Sequence, residues 1–276
     1  MKKIAILYDF DKTLSTTDMQ EYDFIKNLGI SNSEFWGETA KLTLDNDADK
    51  ILAYMYMMVK LCKEKNIKLT HEYLNECGKS VVLLPGVEDW FIRINQFAFS
   101  LGYEIEHYII SSGIAEIVEG TKIFKYFKKV FGCSFIYENG VAVWPKTSVN
   151  YTQKTQYLFR IAKGSLDITD DDTVNKKVSK FEIDYKNMIY IGDGITDVPC
   201  MKLIKEKGGN SIAVYRNKKD IVKTLVNDDR VNIVCEADYS EGSMLFDAIK
   251  LIIGNIASYD KLKEKEEKAI KLMIGE

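Results

Sequence analysis

Apolar and polar positions fall into two textures along this chain. Between Ser15 and Leu84 the apolar residues recur at helical spacing, as Tyr22, Ile25 and Leu28 and again as Ile51, Met55, Met58, Val59 and Cys62, with little β-branched alternation. This stretch reads as an all-helical insert. Outside it stand short, nearly continuous apolar runs: Lys3–Tyr8, Glu104–Ile110, Met188–Ile191, Ser211–Val214 and Val231–Cys235. Parallel strands covered on both faces have this look. The segments Gly86–Gly102, Gln153–Lys163, Thr196–Lys207 and Ser243–Ile253 read as helices between them. Strands alternating with helices predict an α/β fold, a doubly wound, Rossmann-like parallel sheet. The turn signal Leu84-Pro85-Gly86 closes the insert. The expected organisation is a discontinuous core domain, 1–14 and 86–276, with a helical cap domain over 15–85.

Three segments stand apart. Ser134–Tyr137, Glu138-Asn139-Gly140 and Val141–Trp144 read as a β-hairpin turning at Asn139-Gly140, expected beside the main sheet rather than in it. Lys122, Lys125, Lys128 and Lys129, with Phe124 and Phe127, read as an amphipathic surface helix. The Lys- and Glu-rich tail from Tyr259 to Lys271 reads as a solvated helix face.

Composition narrows the function. The chain has 276 residues, 46% of them hydrophobic, enough for a full core. A formal net charge of -3 gives no global pull toward nucleic acid or an anionic membrane, so neither is an expected partner. The five cysteines form no closely spaced pair and read as reduced thiols. The apolar run Ile4–Leu7 is cut off by Asp9 and Asp11, and the stretch Tyr54–Val59 is too short to span a bilayer. The expected location is the cytoplasm; the oligomeric state is not legible.

In open parallel sheets ligands bind beyond the C-terminal ends of the strands, and three of the strands end in polar residues. The first runs into Asp9-Phe10-Asp11-Lys12-Thr13-Leu14. Residues two apart in an extended segment face the same way, so Asp9 and Asp11 share a crevice, and a cation would relieve their repulsion. An acidic turn is the plainer alternative. The second runs into Ser111-Ser112-Gly113, where a hydroxyl and free backbone N–H groups can hold a phosphate, or where Ser112 simply caps a helix. The third runs into Gly192-Asp193-Gly194-Ile195-Thr196-Asp197, with Asp197 one turn into the next helix, or merely an acid favoured by the helix dipole. Lys154 stands early in the helix after the hairpin.

Together these pieces resemble the haloacid dehalogenase-like (HAD) hydrolases. That family carries Asp-x-Asp-x-Thr/Val-Leu after strand one, a Ser or Thr ending the second strand, a Lys, and a Gly-Asp-Gly-x-x-Asp-type motif. Asp9–Leu14, Ser111, Lys154 and Gly192–Asp197 match in that order, over Lys3 to Tyr215. The resemblance implies a magnesium-dependent phosphatase acting on a small phosphorylated metabolite. Asp9 would be the nucleophile forming an aspartyl-phosphate, and Asp11 the general acid and base. Mg²⁺ would be held by the Asp9 carboxylate, the Asp11 carbonyl and Asp193. Ser111, Ser112, Gly113 and Lys154 would grip the phosphoryl oxygens, and Asp197 would orient Lys154 or a metal-bound water.

The placement of the insert resembles the phosphoserine-phosphatase branch, but that branch has a cap Glu where Asp18 stands and a cap Arg for the substrate carboxylate. No arginine precedes Arg93, so phosphoserine is not the expected substrate. Some of Tyr22, Phe35, Trp36, Tyr54 and Tyr56 are expected to pack the insert's own core, and a few to line an apolar substrate pocket. Alternatives to hydrolysis are phosphoryl transfer to a second substrate, as in the family's mutases, and phosphoryl binding without turnover. His71 reads as a surface residue, His107 as a partly buried strand residue, and Asp170-Asp171-Asp172 as a solvated helix start.

Overall fold

The computed structural model describes residues 1–216 and 219–274. Among these residues seven strands form one sheet in the order β4-β3-β2-β1-β5-β6-β7. They are β1 (Lys2–Tyr8), β2 (Tyr103–Ile114), β3 (Phe127–Glu138), β4 (Val141–Thr147), β5 (Met188–Gly192), β6 (Asn210–Tyr215) and β7 (Ile233–Glu236). All neighbouring pairs are parallel except β3 with β4. This is the doubly wound sheet the alternating pattern predicts. Its central strand is sealed on both faces: Ile4 to Tyr8 are all buried, and so are Met188 to Ile191 beside them.

Between β1 and β2 lie α1 (Asp23–Leu28), α2 (Asn32–Asn46), α3 (Lys50–Glu64), α4 (His71–Gly78) and α5 (Val87–Ser100). The later helices are α6 (Ala115–Glu119), α7 (Gln153–Lys163), α8 (Asp171–Asn175), α9 (Val198–Glu206), α10 (Lys219–Asn227) and α11 (Met244–Ile274). The first four helices fill the stretch read as helical, and three of them start at a polar cap: Ser31, Asp49 and Thr70 accept from the opening N–H groups of α2, α3 and α4. The two passages of chain into and out of this segment pair with each other, Thr16 N–H to the Val82 carbonyl and Leu84 N–H to the Leu14 carbonyl, both at 2.9 Å. Glycines bring α4 and α6 into backbone contact. A Cβ on Gly78 would lie 2.1 Å from the Ile117 carbonyl oxygen, and one on Gly120 would lie 1.8 Å from that of Asn75.

Several expectations are corrected. The hairpin turns at Asn139-Gly140 as expected, both with positive φ, but it belongs to the sheet: β3 pairs in parallel with β2 before turning into β4 at the edge. The Lys122–Lys129 helix does not form beyond a single 3₁₀ turn, Phe124–Tyr126. Lys128 and Lys129 lie on β3 instead, because Phe127 packs edge-on to Phe91 and Lys128 pairs with the buried Glu106 of β2. β2 overruns Ser111–Gly113 to Ile114, so Gly113 opens no helix and Ser112 caps none; α6 starts at Ala115. His107 is fully rather than partly buried, accommodated between the Tyr8 hydroxyl at 3.0 Å and Asn95 Oδ1 at 2.8 Å. His71 is at the surface, 3.0 Å from Glu119, and Asp170 caps α8. Among the described residues no helix is long and apolar enough to cross a membrane.

Candidate active site

β1 and β5 are adjacent, so their C-terminal ends deliver Asp9 and Asp193 to the same edge of the sheet. The Asp9 N–H is tied to the Ile191 carbonyl at 2.9 Å, which fixes that juxtaposition. α7 then brings Lys154 in from the side. Its Nζ donates to Asp9 Oδ1 at 3.0 Å and to Asp197 Oδ1 at 2.7 Å, with none of the lysine exposed. Asp197 ends a 3₁₀ turn, Ile195–Asp197, and stands at the start of α9 rather than a turn inside it. Its second oxygen accepts the Gly194 N–H at 3.1 Å. Gly192 is required here, because a Cβ on it would sit 2.5 Å from Asp197 Oδ2.

The electrostatics follow from this crowding. Burial raises the Asp9 pKa to about 6; Lys154 pulls it down and Asp197 pushes it up. Burial, then Asp9 and Asp197, carry Asp193 to about 8. Burial disfavours the Lys154 charge, but Asp197 and Asp9 outweigh it and hold the ammonium above its ordinary range. Carboxylate oxygens of Asp9, Asp193 and Asp197 lie within 4.8 Å of one another. Hard oxygen donors crowded together fit a divalent cation, which would remove the repulsion between Asp9 and Asp193. Both Asp197 oxygens are taken, Oδ1 by Lys154 and Tyr190 and Oδ2 by the Gly194 N–H, so Asp9 and Asp193 are the better-placed side-chain ligands.

Asp11 faces the helical segment. Its Oδ1 accepts the backbone N–H of Met19 at 2.8 Å, and burial, then Asp18 and Asp9, hold its carboxyl well above the usual range. Lys12, at φ 60°, reaches Asp18 at 2.5 Å. On the facing strand, Ser111 Oγ accepts the Gly113 N–H at 3.0 Å, while the Ser112 hydroxyl is buried with no partner among the described residues. The Ser112 carbonyl is capped by the Tyr54 hydroxyl of α3 at 2.6 Å. A cavity of about 440 Å³ opens from Asp11 and Ser112 toward Trp36, Ile51 and Tyr54.

The family profile of haloacid dehalogenase-like hydrolases matches residues 6–202. The chain belongs to this family. An uncharacterized protein of Borreliella burgdorferi is 29% identical over a 276-residue alignment that covers 89% of this chain and 95% of the relative. Among solved structures, a HAD family hydrolase from Salmonella enterica serovar Typhi superposes with TM-score 0.58 at 18% identity, over 85% of this chain and 67% of that one. A substrate-bound phosphoserine phosphatase does so with TM-score 0.56 at 19% identity, over 86% of this chain and 95% of that one. At such identities the likeness is one of fold.

All the HAD motif residues named from the sequence lie at this one edge. Three contributors carried no signal there. Tyr190 donates its hydroxyl to Asp197 Oδ1 at 2.8 Å, but in the sequence it is one more large residue in an apolar strand. Met19 acts through its backbone N–H, which no sequence pattern marks. Gln20 lines the cavity with its Oε1 buried and unpartnered among the described residues.

Proposed function

We propose that this HAD hydrolase is a phosphatase that cleaves small-molecule phosphate monoesters through an aspartyl-phosphate on Asp9. The observation that carries the reading is Asp9 itself, a buried carboxylate held between Lys154 and the further acids Asp193 and Asp197. A side chain so placed is restrained in direction, yet keeps one oxygen clear of Lys154 for attack on phosphorus. Asp9 forms the O–P bond as the ester oxygen departs, and Asp11 gives that oxygen its proton. Burial suits Asp11 to this acid role, since it favours the protonated carboxyl. In the second step Asp11 takes a proton from water as the water oxygen attacks the aspartyl-phosphate, releasing inorganic phosphate and restoring Asp9.

Lys154 and the Ser111 and Ser112 hydroxyls orient the phosphoryl oxygens, whereas the Gly113 N–H is already given to Ser111 Oγ. Asp9, Asp193 and the Asp11 carbonyl would hold Mg²⁺, which would supply positive charge against which two anions can approach. Residues 15–85 serve as a cap over the core formed by 1–14 and 86–276, excluding bulk water from the reacting groups.

The test is phosphate release from an artificial aryl phosphate with Mg²⁺, comparing wild type with Asp9→Asn. The variant is expected to lose at least ~10³-fold in rate with its fold intact by circular dichroism. Equal rates would remove Asp9 from the role of nucleophile.

A further inference from the structure

We propose that the alcohol carried by the phosphorylated substrate is bulky, uncharged and predominantly apolar, and that it occupies the cavity between α2, α3 and the acidic edge. This rests on the phosphatase reading of the same site. At about 440 Å³ the cavity falls in the range of sites for sizeable organic ligands, well beyond what a serine side chain needs.

Which polar groups remain available in its wall decides the chemistry. The Trp36 indole N–H already donates to Glu21 Oε1 at 2.9 Å. The Tyr54 hydroxyl donates to the Ser112 carbonyl at 2.6 Å. The hydroxyls of Thr39 and Thr43 donate one turn back along α2, to the carbonyls of Phe35 and Thr39, at 2.9 and 3.0 Å. Gln20 Oε1 and the Ser112 hydroxyl are the lining groups without a partner among the described residues; a polyol or zwitterion laid on the rest of the wall would find its acceptors facing groups whose protons are already given, and burying unpaired polar atoms is costly.

Charge argues the same way. Asp18 is neutralised by Lys12 at 2.5 Å, and among the described residues the only cation lining the cavity is Lys50, in the first turn of α3. A lone lysine is a poor substitute for the bidentate grip that a substrate carboxylate requires. Trp36 and Tyr54 stand with ring centroids 6.1 Å apart and planes at 72°, an edge and a face against which an aliphatic or aromatic body packs.

Two phosphonates, which contain no bond the enzyme can hydrolyse, test the cavity directly by calorimetry in the presence of Mg²⁺. They are 3-phenylpropylphosphonate and 2-amino-4-phosphonobutyrate, the latter mimicking phosphoserine. The aryl compound is expected to bind at least ~10-fold more tightly, the effect of burying its apolar surface. Ala40→Trp, on the exposed side of α2 where it lines the cavity, is expected to abolish that preference, with thermal unfolding reporting an intact fold. Equal affinities, or tighter binding of the amino acid, would overturn the inference, as would a preference that survives in Ala40→Trp. Phosphate release from 2-phenylethyl phosphate and phosphoserine is measured alongside. Phosphonates that discriminate while neither ester is hydrolysed would sink the phosphatase reading and leave the cavity assignment standing.

Discussion

The hydroxyl of Tyr190 donates to Oδ1 of Asp197 at 2.8 Å, and both side chains are closed off from solvent. That oxygen is the one Lys154 holds at 2.7 Å, so the tyrosine fixes the carboxylate that fixes the lysine. Tyr190→Phe keeps the ring and deletes the bond. A hydrogen bond to a buried charge contributes about 1.5–3 kcal/mol, and urea unfolding of the variant is expected to show a loss of that size. The kcat for an aryl phosphate is expected to fall several-fold with little change in KM, since the substrate itself never touches the phenol.

Asp193→Asn is expected to have opposite effects with and without metal. Burial and the nearby Asp9 and Asp197 push the Asp193 pKa to about 8, so its negative charge is a liability while no cation is bound. In EDTA the asparagine variant should melt higher than wild type. With Mg²⁺ the order should reverse, because wild type gains about 2.7 kcal/mol at a hundred times its dissociation constant and the variant gains much less. Differential scanning fluorimetry in the two buffers reads both signs; a variant stabilised equally by Mg²⁺ would remove Asp193 as a ligand.

A Cβ on Gly113 would lie 2.1 Å from Met19 Cε and 3.0 Å from Asp11 Oδ2. Gly113→Ala must therefore displace the Met19 thioether and crowd the Asp11 carboxylate directly. Expected is a loss of at least ~10-fold in kcat/KM, within the range reported for a small displacement of catalytic groups. Because the closest atom is the end of a flexible side chain, the double variant Gly113→Ala/Met19→Ala should recover part of the activity. No recovery would mean that the strand itself, not Met19, had moved.

Burial lowers the His107 pKa to about 3, from the usual 6.5. The fold therefore holds a neutral ring, whereas the unfolded chain binds a proton below 6.5. The stabilisation is complete above pH 6.5 and is lost progressively as pH falls toward 3. Between pH 6.5 and 5 this one group accounts for about 2 kcal/mol. His107→Gln removes the titration, so the difference in unfolding free energy between wild type and variant should shrink by about that amount over the interval. A parallel pH dependence in the two proteins would show that the ring titrates normally.

Much of the fold was legible because its strands are covered on both faces and its helices are not. Lys3–Tyr8 and Met188–Ile191 could hardly be anything but interior strands, and α7 begins and ends where its apolar period does. Failures occurred where one pattern serves two structures. Ser111-Ser112-Gly113 has turn composition, yet β2 continues through it, and no residue there announces a strand. Phe124 to Lys129 satisfies helical spacing, and only contacts from Phe91 and Glu106, distant in sequence, select the extended form. The hairpin's turn is local and could be read; its pairing with β2 is not local and could not. At the site, side-chain chemistry in a fixed order exposed Asp9, Asp11, Ser111, Lys154, Asp193 and Asp197. What orients them, the Tyr190 hydroxyl and the Met19 amide, depends on three-dimensional approach alone.

The glycine contact between α4 and α6 acts as a weld. With backbones touching at Gly78 and Gly120, no side-chain layer remains between the two helices to slip or compress. The paired passages at Thr16–Val82 and Leu14–Leu84 brace the same root. A swing of the whole segment away from the sheet would have to break this contact and these pairings. Flexing of the α2–α3 arm, tied by hydrogen bonds such as Tyr54 to Ser112 and Asn150 to Asp49, would open the cavity without breaking that contact. Amide hydrogen exchange faster along α2 and α3 than along α4 would be its signature.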